Sequence, residues 1–159
     1  MTMDRIFAPW RIEYIRTPKT EECIFCTAFE KERNRIIDSS EHALMLMNKY
    51  PYNPGHVLIA PIRHVADFEL LTFTELNEIS GFMQKIIMAI KNAMHPDGFN
   101  VGINIGTVAG AGFKDHLHVH VVPRWNGDTH FMPVFSDTRV ISQAIEDTYN
   151  EIKKEYDKL

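Results

Sequence analysis

Histidine and aliphatic residues alternate from His116 to Val121, and this alternation constrains the fold more than any other stretch of the sequence. Successive side chains of a β-strand point to opposite faces, so a strand here turns its aliphatic residues towards a core. The other face then carries His116, His118 and His120. The outer two lie about 13 Å apart at roughly 3.3 Å per residue, so one metal ion cannot bind all three. Because buried polar groups cost stability unless they are satisfied, this face predicts a functional site.

The composition predicts one globular domain that spans residues 1–159, with 45% hydrophobic and 24% charged residues. The formal net charge of −4 argues against a nucleic-acid partner, which normally requires a basic stripe. No apolar run reaches the roughly 18 residues of a membrane span, and the N-terminal residues lack the apolar core of a signal peptide. We therefore expect a cytoplasmic protein without a membrane partner.

The hydrophobic pattern predicts an α+β fold with an antiparallel sheet of about five strands and two main helices. A capping box at Thr72 and Glu75 begins the first helix, which ends near His95. Ser136 or Asp137 caps the second, within a C-terminal helical segment over 136–159. Strands are predicted over 36–38, 43–48, 56–61, 99–106 and 116–124.

Residues 1–20 form an N-terminal arm, which we expect to pack on the domain surface or to reach a partner subunit. A glycine-rich loop over 107–115 precedes the histidines. Glycines there can adopt positive φ angles and present consecutive N–H groups to an anion.

The two cysteines of the chain, Cys23 and Cys26, have the spacing of half a tetrahedral zinc site. A thioredoxin-like redox pair would follow a buried strand, which the preceding residues do not predict. Because there is no third cysteine, the other ligands must be histidines or carboxylates. Two reduced cysteines without a metal are the alternative.

The residues His116-Leu117-His118-Val119-His120-Val121-Val122 resemble the motif of the histidine triad (HIT) family. The block from Asn48 to Pro61 is similar to the family as well. The arm segment Ala8-Pro9-Trp10-Arg11 and Trp125 resemble the branch that includes bacterial diadenosine tetraphosphate phosphorylases. The resemblance implies a HIT-like fold, whose sheet joins that of a second copy in a homodimer.

The resemblance also implies roles for individual residues. His118 attacks the α-phosphorus of an adenine nucleotide, His120 contacts the phosphate and the leaving group, and His116 supports the site or binds zinc. His64 and His116 complete a structural Zn²⁺ site with the two cysteines, and no organic cofactor is implied. The residues that match nucleotide- or phosphate-binding positions are Asn48, His56, Asn104, Gly112, Phe113 and Trp125.

The implied function is a nucleotidyl hydrolase or transferase for substrates of the AMP, ATP or diadenosine polyphosphate type. Water as the second acceptor gives a hydrolase, whereas inorganic phosphate gives a phosphorylase, also called an ATP adenylyltransferase. Gly112 departs from the family pattern, which has glutamine or serine there, so the acceptor stays open. Two alternatives remain: a zinc- and nucleotide-binding interaction module without turnover, and a hydrolase with a metal on His118 and a neighbouring histidine.

Overall fold

The computed structural model describes residues 22–109, 113, 115–128 and 143–159. These residues form a five-stranded antiparallel sheet, whose strands are β1 (Ile36–Ser39), β2 (Ala43–Met47), β3 (Val57–Pro61), β4 (Gly98–Ile103) and β5 (Val119–Arg124). The strand order in the sheet is β1-β2-β3-β5-β4. The helices are α1 (Ala28–Lys31), α2 (Phe73–Met94) and α3 (Ile145–Tyr156), with short 3₁₀ segments at Arg33–Arg35, Phe68–Leu70 and Thr107–Ala109. The predicted α+β class is confirmed.

The two faces of the sheet have different partners. Met45, Met47 and Ile59 belong to a buried cluster with the inner sides of α2 and α3. Leu44, Leu46 and Leu58 belong to a second cluster, which is closed by residues of the cysteine segment and α1. This division follows from the alternation of side chains along each strand. Among the described residues, no helix combines the length and apolar content needed to cross a membrane.

The face opposite the two long helices carries the end of the histidine motif. His120 pairs directly with Leu58 across β5 and β3, and residues opposite each other in an antiparallel pair share a face. Val119 and Val121, on either side of His120, belong to the cluster under the helices. The aliphatic residues of the motif therefore fix β5 on the core and leave His120 on the other face.

Helix α2 begins and ends where the sequence predicts. The hydroxyl of Thr72 accepts a hydrogen bond from the Glu75 N–H at 3.2 Å, and the Glu75 carboxylate accepts the Thr72 N–H at 2.7 Å. This reciprocal pair is a capping box. At the other end His95 adopts a left-handed conformation with φ 49°, which stops the helix before Pro96.

Three element boundaries differ from the predictions by three residues or more. β5 begins at Val119 rather than at His116, and the Leu117 N–H donates instead to the carbonyl of Val65. β4 ends at Ile103, and Gly106, its predicted last residue, has a φ of 79°, outside the range of a strand. α3 begins at Ile145.

The late start of α3 has a local cause, because Ala144 is extended at ψ 147° and acts as its N-cap. The predicted caps, Ser136 and Asp137, lie outside the described residues, as does the predicted N-terminal arm. The described part of the helix buries Thr148, Ile152 and Tyr156, which belong to the packing face that its periodicity predicts.

Gly55 provides a test of the packing beneath the turn before β3. It has a φ of 79°, and a Cβ there would lie 3.0 Å from Met94 Sδ and 3.1 Å from Pro123 Cγ. We expect Gly55→Ala to lower the free energy of unfolding by about 1–3 kcal/mol, measured by urea denaturation. The matched control is Gly81→Ala in α2, where no described atom beyond the adjoining backbone of the helix lies within 4 Å of the new Cβ. The control should gain about 0.5–1 kcal/mol, and equal effects at both positions would contradict the described turn.

Candidate active site

A row of aromatic rings crosses the sheet face opposite the long helices and contains the three histidines of the motif. Neighbouring ring centroids along the row lie between 4.8 and 5.1 Å apart. The row consists, in order, of His64, His116, Phe25, His118, His120, His56 and Tyr52. Although only His120 lies within a strand, the structure brings the three histidines to one side.

The first end of the row contains a cluster of potential metal ligands. One ligand atom each from Cys23, Cys26, His64 and His116 lies within 4.8 Å of all the others. His116 Nδ1 lies 3.2 Å from Cys23 Sγ, and His64 Nδ1 lies 3.2 Å from Cys26 Sγ. A tetrahedral zinc site places its sulfur and nitrogen ligands about 3.3–3.8 Å apart. The cluster therefore has the composition and nearly the dimensions of a two-sulfur, two-nitrogen metal site.

His116 is held in the tautomer that a metal ligand needs. Its Nε2–H donates to the carbonyl of Pro61 at 2.8 Å, so Nδ1 keeps its lone pair and faces the sulfur atoms. The side chain is 1% exposed, and this burial lowers the pKa of His116 to about 4. The imidazole is therefore neutral near pH 7.

The segment that carries His64 is fastened to the first turn of α2. Arg63 donates to both carboxylate oxygens of Glu75, at 3.0 and 2.9 Å. These hydrogen bonds, together with those from Thr72, lower the pKa of Glu75 to about 2. A bidentate pair of this kind fixes geometry as well as charge, so the helix start orients the loop that bears the metal-ligand candidate.

His118 lies in the middle of the row with its ring orientation and tautomer defined. Its Nδ1–H donates to the carbonyl of His116 at 2.9 Å, which leaves the lone pair on Nε2. The side chain is 6% exposed, and burial lowers the pKa of His118. A neutral imidazole with a lone pair on Nε2 is a competent nucleophile near pH 7.

Two donors determine the tautomer of His56. The backbone N–H of Tyr52 and the side-chain amide of Asn48 both donate to His56 Nδ1, at 3.0 and 3.2 Å. The orientation of the Asn48 amide is set because its oxygen accepts the Tyr50 N–H at 3.0 Å. A neutral His56 must therefore carry its proton on Nε2, from which it donates to His120 Nδ1 at 2.9 Å.

Because His120 Nδ1 accepts this hydrogen bond, a neutral His120 carries its hydrogen on Nε2. Burial first, and then the neighbouring His118, lower the pKa of His120 to about 4, so the ring is neutral. Its buried Nε2 has no hydrogen-bond partner among the residues that the structure describes. Since an unsatisfied buried donor costs about 1–3 kcal/mol, such a group indicates a place where a ligand supplies the acceptor.

Three of the remaining predicted nucleotide-binding residues, Asn104, Gly112 and Phe113, belong to the segment before the histidine motif. Asn104 directly follows β4, whose Ile103 pairs with Val119, so it lies at the end of β5 that the histidine motif enters. Phe113 packs against Phe25, with ring centroids 6.4 Å apart. Gly112 lies outside the described residues.

Trp125 lies away from the histidines of the motif. It follows the last residue of β5, roughly 16 Å along the strand from His120 at 3.3 Å per residue. Its backbone N–H donates to Asp128 at 3.0 Å. A role for Trp125 in binding nucleotide therefore stays a prediction, and the described geometry does not bring it to the histidines of the same chain.

Two residues of the row, Phe25 and Tyr52, are not among the predicted site residues. Phe25 lies between the two cysteines, and Tyr52 lies in the turn that leads to His56. Their positions in those two motifs are the only sequence signals that point to them. Their contacts with the histidines join segments far apart in the chain, which periodicity does not reveal.

The arrangement combines a nucleophile and a hydrogen-bond donor on adjacent rings. His118 offers the Nε2 lone pair, and His120, with its ring centroid 4.9 Å away, offers the Nε2–H. Both rings are neutral, so an anionic phosphoryl group meets no negative charge from them. This pair can attack an electrophilic phosphorus atom and stabilise an oxygen bound to it.

Comparisons with known proteins agree with this geometry. The protein-family model for the HIT domain matches the sequence over residues 29–127. An AP-4-A phosphorylase of Mycobacterium tuberculosis is 36% identical over 165 aligned residues, which cover 97% of this chain and 85% of that protein. An asymmetrical bis(5'-nucleosyl)-tetraphosphatase of Schizosaccharomyces pombe is 32% identical over 63% of this chain and 51% of its own length.

A solved structure extends the similarity to the fold. The Zn-bound histidine triad family protein of Mycobacterium smegmatis superposes with a TM-score of 0.70 at 27% identity, over 86% of this chain and 94% of that one. The HIT domain model covers more than half of the chain, and the mycobacterial relative covers almost all of it. The chain therefore belongs to the histidine triad (HIT) family.

Proposed function

We propose that this protein is a nucleotidyl hydrolase or transferase that attacks the α-phosphate of an adenine nucleotide, with diadenosine polyphosphates as substrates. The observation that carries the proposal is the Nε2 lone pair of His118 beside the donor Nε2–H of His120. The names of two relatives, an AP-4-A phosphorylase and a bis(5'-nucleosyl)-tetraphosphatase, support this class of substrate. The chemistry is that of a nucleotide-processing enzyme of the HIT family.

In the first step His118 Nε2 attacks the α-phosphorus, and a phosphorus–nitrogen bond forms. The bond to the bridging oxygen breaks, and its electron pair stays on the departing phosphate chain. His120 Nε2–H donates to the phosphoryl or leaving-group oxygen, where negative charge accumulates. His56 Nε2–H donates to Nδ1 of His120, and this hydrogen bond keeps the hydrogen of His120 on Nε2.

In the second step an acceptor oxygen attacks the same phosphorus. The phosphorus–nitrogen bond breaks, its electron pair returns to His118 Nε2, and the nucleotide leaves. Inorganic phosphate as acceptor makes the enzyme a phosphorylase, which we favour because of the 36% identity to an AP-4-A phosphorylase. Gly112 has no side chain that could contact the phosphate, so we expect backbone N–H groups of the protein to take that part.

We expect diadenosine tetraphosphate to be cleaved in the presence of inorganic phosphate, and His118→Asn to lower kcat by more than about a hundredfold. The loss is large because a covalent intermediate can no longer form. The matched control is His95→Asn, at an exposed left-handed position that asparagine accepts. Nucleotide release is measured by chromatography.

The outcomes separate the candidate functions. Release only with phosphate identifies a phosphorylase, and release with or without it identifies a hydrolase. AMP binding without release in any condition would contradict the proposal and favour an interaction module without turnover. Full activity of His118→Asn would also contradict it.

We propose that the cluster of Cys23, Cys26, His64 and His116 holds a structural Zn²⁺ ion. Two sulfur and two nitrogen ligands form a closed tetrahedral set, which is typical of structural zinc. The Zn-bound relative of Mycobacterium smegmatis supports the same metal. The ion would neutralise the two thiolates and tie the cysteine segment to the histidine motif, and no step of the reaction passes through it.

We expect the purified protein to contain about one zinc per chain, measured by atomic emission, and Cys26→Ser to contain much less. Because a structural ion binds the folded state only, removing it with a chelator should lower the unfolding temperature. His95→Asn again serves as the control with normal zinc content. Equal zinc in the wild type and Cys26→Ser would contradict the assignment.

We also propose a homodimer in which the β4 edges of two copies extend the sheet. Among the described strands β4 pairs only with β5, and Asn100, Val101 and Gly102 are exposed. An edge strand of this kind offers its backbone groups to another strand. Light scattering should give a mass of twice the 18.4 kDa chain, and a mass of 18.4 kDa would refute the dimer.

We place the protein in the cytoplasm, where a reducing environment keeps Cys23 and Cys26 available as thiolate ligands. Recovery of the protein in another cell fraction would contradict this assignment.

A further inference from the structure

Phe25 lies between the two cysteines and against the proposed nucleophile. Its ring centroid is 4.9 Å from that of His116 and 5.0 Å from that of His118. The side chain is only 3% exposed and belongs to the buried cluster on this face of the sheet. It is therefore a buried apolar ring that packs against two histidines of the motif.

We propose that Phe25 is a positioning residue for His118, which it holds in the orientation that directs Nε2 at the phosphorus. The hydrogen bond to the His116 carbonyl fixes His118 Nδ1 but leaves the ring able to tilt about that contact. Phe25 and His120 pack against the His118 ring, with ring centroids 5.0 and 4.9 Å away, and so restrict the tilt. His120 also supplies the hydrogen-bond donor, whereas the part that we propose for Phe25 is only to hold the His118 ring in place.

The position of Phe25 is itself determined from both sides. Behind it lie Leu44, Leu46 and Leu58 of the sheet. Before and after it in the chain lie Cys23 and Cys26, whose sulfur atoms belong to the candidate metal site. The metal cluster and the nucleophile are therefore connected twice, through the ring of Phe25 and through the carbonyl of His116.

Small errors in the position of a reacting atom have large kinetic effects. Nucleophile and phosphorus must be close and in line, and a misplacement of about 1 Å can cost roughly a hundredfold in rate. A leucine at position 25 retains most of the apolar volume but loses the flat face. We therefore expect Phe25→Leu to fold and yet to hold His118 poorly.

The kinetic test rests on the proposed reaction and compares Phe25→Leu and Phe25→Ala with Phe29→Ala. Phe29 is 47% exposed on α1, so its removal controls for loss of an aromatic side chain near the same segment. We expect Phe25→Leu to lower kcat at least about tenfold, to change KM less than about threefold, and to keep the zinc content of the wild type. Phe29→Ala should match the wild type in all three.

A second readout does not depend on turnover. In a long-range ¹H–¹⁵N spectrum of the imidazoles, wild-type His118 should show protonated Nδ1 and unprotonated Nε2. In Phe25→Leu the hydrogen bond keeps this tautomer, but the His118 signals should broaden or shift because the ring is free to tilt, while Phe29→Ala keeps the wild-type pattern. Phe25→Leu, rather than Phe25→Ala, provides the decisive spectrum if the smaller side chain destabilises the fold.

Each outcome has a definite meaning. A raised KM with unchanged kcat in Phe25→Leu would overturn the proposal and make Phe25 a substrate-binding residue. A wild-type His118 pattern in Phe25→Leu would also overturn it, whatever the rate. If the wild type does not cleave the dinucleotide but the pattern changes as expected, the proposed reaction fails and the positioning role stands.

Discussion

The hydrogen bond from His118 Nδ1–H to the carbonyl of His116 is the interaction on which the site depends. It forms between residues two apart in the chain, at 2.9 Å, and it leaves the His118 lone pair on Nε2. The same His116 turns its ring to the two cysteines and donates to Pro61. One residue thus orients the proposed nucleophile with its backbone and belongs to the candidate metal site with its side chain.

A second series of hydrogen bonds determines which nitrogen of His120 carries the hydrogen. Asn48 and the Tyr52 N–H determine the tautomer of His56, and His56 determines that of His120. Burial keeps His118 and His120 neutral by lowering the pKa of each ring. The two series of hydrogen bonds therefore end at adjacent rings, His118 with a lone pair on Nε2 and His120 with a hydrogen on Nε2.

Much of this fold follows from local pattern, because the capping box of α2 and the alternation that buries Val119 and Val121 are local signals. The motif resemblance likewise selects His64 and His116 for the cluster that they form with the cysteines. The start of β5 was not predictable, since it depends on a bond to Val65 from a distant segment. The contacts of Phe25 with the histidines, and the distance of Trp125 from them, also arise from tertiary packing rather than sequence period.

The most direct test of the central claim is to identify the residue that carries the nucleotide during turnover. The protein would be mixed rapidly with diadenosine tetraphosphate, denatured at alkaline pH to preserve a phosphoramidate, and digested for peptide mapping by mass spectrometry. We expect an adenylyl group on His118. An adenylyl group on any other residue would contradict the assignment of His118 as the nucleophile. Turnover during which no peptide that contains His118 is adenylylated would also contradict it.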